Sequence, residues 1–251
     1  MAEHEYKMLN SIYRLSPRAY IRARKAIASL VNLLYIIRNR KFIDTERSFS
    51  NRKTAEEYRE EISKIRGVKG SNYPELWSID QNAALVLYSL VRRLRPAVVI
   101  ETGVANGLST RLILSAMNRN RHGELHSIEI SRDVGSLVRG MDASRWHLHV
   151  GKPRATLLGV MGKFRHIDLF LHDSDHSYDN MLFEFKAAYD RLGGGGVIVS
   201  DDVNWHGAFV DFARSVNKRP HIIKGKGTCI GVLFNGPEAG KYTDRKGRRY
   251  L

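Results

Sequence analysis

The sequence predicts an α/β protein: a doubly wound, mostly parallel sheet of seven strands with a closing antiparallel hairpin, preceded by a helical N-terminal extension. Three observations predict it. Short apolar runs at Ala97–Glu101, Leu125–Ile130, His147–Val150, Ile167–Leu171 and Gly196–Ser200 alternate with helix-length segments, the pattern of parallel βα units. The stretch from Val98 to Thr110 reads as a buried strand running through a glycine turn into a helix. Finally, two more strands, His221–Lys224 and Cys229–Phe234, flank Gly225-Lys226-Gly227-Thr228, which reads as a hairpin turn.

Taken in order, residues 18–41 are predicted to be helical. Ile27, Leu30, Val31, Leu34 and Ile37 recur on one face, while Arg18, Arg22, Arg24, Lys25, Arg38, Arg40 and Lys41 crowd both ends. Such a segment either packs on its own domain or a second copy of the chain, or lies in the plane of an anionic membrane. Residues 42–75 are polar, with Gly67, Gly70 and Pro74 as breakers, and read as a linker containing one short helix near Ala55–Ile65. A helix over Gln81–Arg95 stops at Pro96, and another spans Ala208–Val216. The expected organisation is a basic extension and linker over 1–75, a sheet domain over 76–236 and a basic tail over 237–251.

With 251 residues and 43% hydrophobic content the chain can bury a full core, and no segment reaches the roughly 20 uninterrupted apolar residues of a membrane span. The single cysteine, Cys229, excludes an intramolecular disulfide and a cysteine-clustered zinc site; with no signal-type leader in view, a cytoplasmic home is expected, with peripheral association at the inner face of the membrane as an extension of that reading. The net charge of +15 is concentrated at the ends, +8 over residues 1–53 and +4 over 241–250. It favours anionic partners: phospholipid, nucleic acid or a phosphorylated substrate.

The chemistry is expected at the carboxyl ends of the strands, where ligands of such sheets bind. The glycine turn reads Glu101-x-Gly103-x-x-x-Gly107-x-Ser109, unlike the Gly-x-Gly-x-x-Gly of dinucleotide sites, which implies a nucleoside ligand without a pyrophosphate. Glu129 ends the next strand, where a carboxylate can accept both ribose hydroxyls. The fourth strand leads into His172-Asp173-Ser174-Asp175-His176-Ser177-Tyr178-Asp179 and the fifth into Ser200-Asp201-Asp202-Val203-Asn204-Trp205. Clustered carboxylates repel unless a cation lies among them, and an all-oxygen set suits Mg²⁺ or another hard divalent ion.

These four blocks together resemble the class I S-adenosylmethionine-dependent methyltransferases, of the metal-dependent O-methyltransferase branch that includes catechol and macrolide-sugar or glycan O-methyltransferases, with a Rossmann-like fold over about Gln81 to Phe234. The resemblance implies Asp173, Asp201 and Asp202 as metal ligands. It further implies Glu101, Gly103, Gly107, Ser109, Glu129, Pro153, Arg154 and Asp173 around S-adenosylmethionine, and His176 or Asp175 as catalytic base. Pro153 and Arg154 depart from the Ser-Gln pair with which catechol enzymes grip adenine, and His172 replaces an apolar residue before the first metal aspartate. His206, Trp205 and Tyr178 are candidates for the substrate mouth.

The expected acceptor is a hydroxyl on a small molecule, sugar, glycan, glycolipid or secondary metabolite. Two alternatives come from other classes. A nucleic-acid methyltransferase would suit the charge but is disfavoured by the absence of an Asn-Pro-Pro-Tyr type motif, and a non-catalytic cofactor-binding module would use the basic ends only to dock.

Overall fold

The computed structural model describes residues 30, 32–65, 73, 78–225, 228–236, 242–243 and 249–250. Residues 18–29 and 31 of the predicted first helix lie outside them, as do Gly67, Gly70, Pro74, Lys226, Gly227 and most of the 237–251 tail. The helices are α1 (32–38), α2 (Arg52–Lys64), α3 (Gln81–Leu94), α4 (Leu108–Asn120), α5 (Pro153–Met161), α6 (Tyr178–Tyr189) and α7 (Ala208–Ser215). The strands of the main sheet are β1 (Ile43–Asp44), β2 (Val98–Thr102), β3 (Glu124–Glu129), β4 (Trp146–Val150), β5 (Ile167–His172), β6 (Leu192–Ser200), β7 (His221–Lys224) and β8 (Cys229–Phe234).

These strands form one sheet in the order β1-β7-β8-β6-β5-β2-β3-β4. All neighbours are parallel except β6 with β8 and β7 with β8, so the predicted hairpin closes a mixed α/β sheet. From β2 the chain builds outward to β3 and β4 on one side and crosses to β5 and β6 on the other. The strand order therefore reverses between β2 and β5, the place where such sheets open a crevice at their carboxyl edge.

Successive residues of the central strands face opposite layers. Leu169, Leu171, Val197 and Val199 join Leu87, Tyr88, Leu112 and Met117 of α3 and α4. Phe170 and Ile198 join Leu157, Phe185 and Phe209 of α5, α6 and α7 on the other face. Both faces are dry, which is why these strands read as continuous apolar runs rather than alternating ones.

Two expectations are corrected. The segment read as a linker contributes β1, which pairs with Ile222 and Ile223 of β7, and its Asp44 Oδ2 accepts from His221 Nδ1 at 2.7 Å. A strand of two residues has no periodicity to detect. The short helix expected near Ala55–Ile65 is α2, opened by a capping box between Asn51 and Thr54, which buries Tyr58 and places Glu61 3.0 Å from the Arg111 guanidinium. Residues 43–64 are thus integral to the sheet domain.

The second correction concerns α1. Leu30, Leu33, Leu34 and Ile37 are between 52% and 59% exposed, whereas Asn32, Tyr35 and Asn39 are buried. Tyr35 enters the apolar layer of α6 and α7, and Asn32 Oδ1 accepts from the Cys229 thiol at 3.0 Å. The described members of the predicted stripe, Leu30, Leu34 and Ile37, therefore face away from the domain. Among the described residues no helix is long and apolar enough to cross a membrane.

Candidate active site

The glycine turn is shaped by its neighbours. Gly103 has φ +83°, and a Cβ there would lie 2.0 Å from the Asp173 carbonyl oxygen, so the ends of β2 and β5 touch through backbone alone. Gly107, also at φ +83°, would place a Cβ 2.8 Å from Gly135 Cα. Glu101 is fully buried and accepts from the hydroxyls of Ser109, Thr110 and Ser127 at 2.7, 2.9 and 2.6 Å. Burial pushes its carboxyl up to about 7, against the pull of those three hydroxyls. Glu101 and Ser109 are thus bonded to one another and build the turn from beneath.

Glu129 stands at the end of β3 with Oε2 accepting from Val104 N–H at 3.0 Å and Oε1 from Ile130 N–H at 2.7 Å. The carboxylate is held beside the turn, where the sequence places a ribose-binding acid. Asn106, within the turn, donates to the Tyr73 carbonyl at 2.8 Å and accepts from its N–H at 3.3 Å, a contact no motif signals. Pro153 opens α5 and Arg154 is exposed, its guanidinium 4.5 Å from the centre of the Phe183 ring on α6.

The predicted metal ligands stand at the next two strand ends. Asp173 N–H donates to Thr102 O at 2.9 Å and Asp201 N–H to His172 O at 3.0 Å, which aligns β2, β5 and β6 at their carboxyl edge. Removal from water, then the charges of Asp201, Asp202 and Glu101, raises the Asp173 carboxyl well above the ordinary range. Removal from water and the charge of Asp202 do the same to Asp201. Asp201 Oδ1 is buried without a hydrogen-bond partner, as are Nε2 of His172 and Nε2 of His176. Mutually repelling carboxylates with an orphaned oxygen fit a divalent cation that restores their charge. The three aspartates are not drawn into a tight trio: among the described residues, only Glu124, His126 and His147, elsewhere in the fold, bring three ligand atoms within 4.8 Å of one another.

The two candidate bases differ in engagement. Asp175 is exposed, and its two oxygens accept from Ser177 N–H at 3.1 Å and Ser177 Oγ at 2.8 Å, a local turn that opens α6. His176 is half-buried, with its ring 5.1 Å from that of His172 and its carbonyl accepting from His206 Nε2 at 2.7 Å. Burial and then the neighbouring His172 push the His176 imidazole down to about 3. Tyr178 and Trp205 are 40% and 54% exposed beside this segment.

One buried acid beside the predicted site escaped the sequence reading. Glu184 of α6 is buried and receives Thr102 Oγ1 and His172 Nδ1, each at 2.7 Å, on one oxygen, and Ser174 Oγ and Asn180 Nδ2, at 3.0 and 3.1 Å, on the other. Its only signal is a charged residue on the apolar side of a helix between Met181 and Phe185.

Residues 100–203 match a family described as a methyltransferase domain. Among solved structures, the chain is similar to the Bacillus cereus O-methyltransferase in complex with SAH, at 18% identity over 74% of this chain and 92% of that one, TM-score 0.51. It is similar to the Streptomyces achromogenes O-methyltransferase TomG, involved in tomaymycin synthesis and bound to SAM, at 17% identity over 75% and 91%, TM-score 0.50. A methyltransferase from Geobacter sulfurreducens matches at 17% identity over 75% and 90%, TM-score 0.51. At these identities the likeness is one of fold. No match was found among curated proteins.

Proposed function

We propose that this chain, whose residues 100–203 match a methyltransferase-domain family and whose fold is similar to that of solved O-methyltransferases, is an S-adenosylmethionine-dependent O-methyltransferase that uses a hard divalent cation such as Mg²⁺. The observation that carries the reading is the pair of raised carboxyls of half-buried Asp173 and buried Asp201, the latter with an orphaned oxygen, beside the Gly103 turn and the pinned Glu129.

S-adenosylmethionine supplies an electrophilic sulfonium methyl. The 103–107 backbone turn would receive its amino-acid end and Glu129 its ribose hydroxyls, with Glu101 and Ser109 keeping the turn in shape. Asp173, Asp201 and Asp202 would hold the cation, which lowers the pKa of an acceptor hydroxyl. His176 is the favoured base, because its Nε2 is buried and unpartnered whereas both Asp175 oxygens accept from Ser177. His206 fixes the loop by its bond to the His176 carbonyl.

Exposed Tyr178 and Trp205 beside the site support a ring-bearing acceptor, a sugar, glycan, glycolipid or secondary metabolite. The exposed apolar face of α1 together with the basic extension supports docking at an anionic membrane surface. Flotation with anionic vesicles but not neutral ones is the expected result, and equal behaviour with both would transfer that face to subunit contact.

The deciding experiment is calorimetric titration of S-adenosylmethionine and, separately, Mg²⁺ into the chelator-stripped protein and its Asp201→Ala variant. Cofactor binding together with Mg²⁺ binding lost in the variant is expected. Cofactor binding without any Mg²⁺ binding would remove the cation from the reading, and absence of cofactor binding would remove the reading itself.

A further inference from the structure

At the opposite end of β3 from Glu129, the sheet assembles a second group of ligand-type side chains. Glu124 is the first residue of β3, His126 follows two positions later on the same face, and His147 is the parallel-strand partner of His126 on β4. One ligand atom from each of the three lies within 4.8 Å of the other two. His126 Nε2 is 3.4 Å from one Glu124 oxygen and His147 Nε2 is 3.5 Å from the other.

These spacings are longer than good hydrogen bonds, and they sit close to the roughly 3.3 Å ligand–ligand edge of a tetrahedral ion with bonds of about 2.0–2.1 Å. His126 is 7% exposed and its Nε2 has no hydrogen-bond partner, although it is aimed at the carboxylate. Its other nitrogen, Nδ1, is 2.9 Å from His149 Nε2. With Nδ1–H donating to His149, the lone pair of Nε2 is turned toward Glu124, the arrangement by which an outer imidazole fixes the tautomer of a metal-binding one.

We propose that Glu124, His126 and His147 form a second metal site, a His₂-carboxylate set for a borderline divalent ion of the zinc type, separate from the predicted Mg²⁺ site. Two imidazoles and one carboxylate are the donors that zinc, cobalt and nickel prefer over magnesium. A cavity of about 300 Å³ lined in part by Glu124 and His147 gives an ion access from solvent. Such an ion would clamp β4, the edge strand, to β3.

The test is titration of the chelator-stripped chain with Co²⁺, read by its visible absorption, with Zn²⁺ and Mg²⁺ as competitors. A low-coordinate Co²⁺ spectrum displaced by Zn²⁺ but not by Mg²⁺ is expected. His147→Ala, at a half-exposed edge position, and Glu124→Gln are each expected to weaken binding at least about tenfold, the usual cost of disrupting a metal site's ligand shell. Asp201→Ala is expected to leave it unchanged. No spectrum at millimolar Co²⁺, or a spectrum retained in His147→Ala, overturns the proposal; so does one lost in Asp201→Ala alone.

Discussion

His172 and Glu184 are joined by a 2.7 Å hydrogen bond between Nδ1 and Oε2 with both side chains fully enclosed, so the last residue of β5 is tied to the middle of α6. The bond fixes the His172 ring and leaves its Nε2 turned away from Glu184 at the end of the strand that precedes Asp173.

Glu184 sets one limb of the pH dependence. Burial alone would raise its carboxyl, but the bond and charge of His172, with the hydroxyls of Thr102 and Ser174, outweigh that and hold it below the ordinary range. The unfolded chain therefore binds this proton more tightly, so the stabilisation is present above the ordinary carboxylate pKa and is lost as pH falls through the folded value. Glu184→Gln is expected to cost about 1–3 kcal/mol at neutral pH and to flatten the acid limb, as read from urea midpoints against pH.

Glu101 acts with the opposite sign. Its folded value of about 7 lies above the ordinary 4.5, so the folded state binds the proton more tightly and stability declines as pH rises between those values. Glu101→Gln is expected to remove that decline, improving stability at pH 8 relative to pH 5 by about 1–3 kcal/mol against the parent. An unchanged slope between the two pH values would contradict it.

Asp201→Asn removes the charge of a buried acid that the neighbouring Asp202 repels. Without added metal the variant is expected to be the more stable at pH 8, by on the order of 1 kcal/mol. Mg²⁺ is expected to raise the melting temperature of the parent and not that of the variant, a reversal that differential scanning calorimetry reads directly.

At the glycine turn, Gly103→Ala would force a methyl group onto the Asp173 carbonyl. Destabilisation of at least about 2 kcal/mol is expected. Glu129→Ala keeps the strand but removes the carboxylate beside Val104, and a loss of cofactor affinity of about tenfold or more is expected from calorimetry.

What was legible in the sequence was what backbone geometry dictates. Gly103 and Gly107 announce a turn because no other residue fits there, and Asp173, Asp201 and Glu129 stand at strand ends that apolar runs delimit. Side chains that meet only in three dimensions gave no such signal. Glu184 approaches His172 from a different element, and His126 faces His147 across a strand pair. Glu101 was assigned to the ligand because it leads the turn, yet three hydroxyls enclose it. Leu30, Leu34 and Ile37 follow a core-like period and face outward, since Tyr35 fills the position against the domain.

The parallel pairing of β1 with β7 also bears on synthesis. Asp44 and His221 are separated by 177 positions, so the extension has no strand to join until most of the chain has left the ribosome. Until then β1 has no partner strand, while β2 to β6, whose partners lie closer in sequence, can already pair. Docking of β1 is thus a late step, and a chain halted before β7 would present its positively charged end and the unprotected β6 edge together.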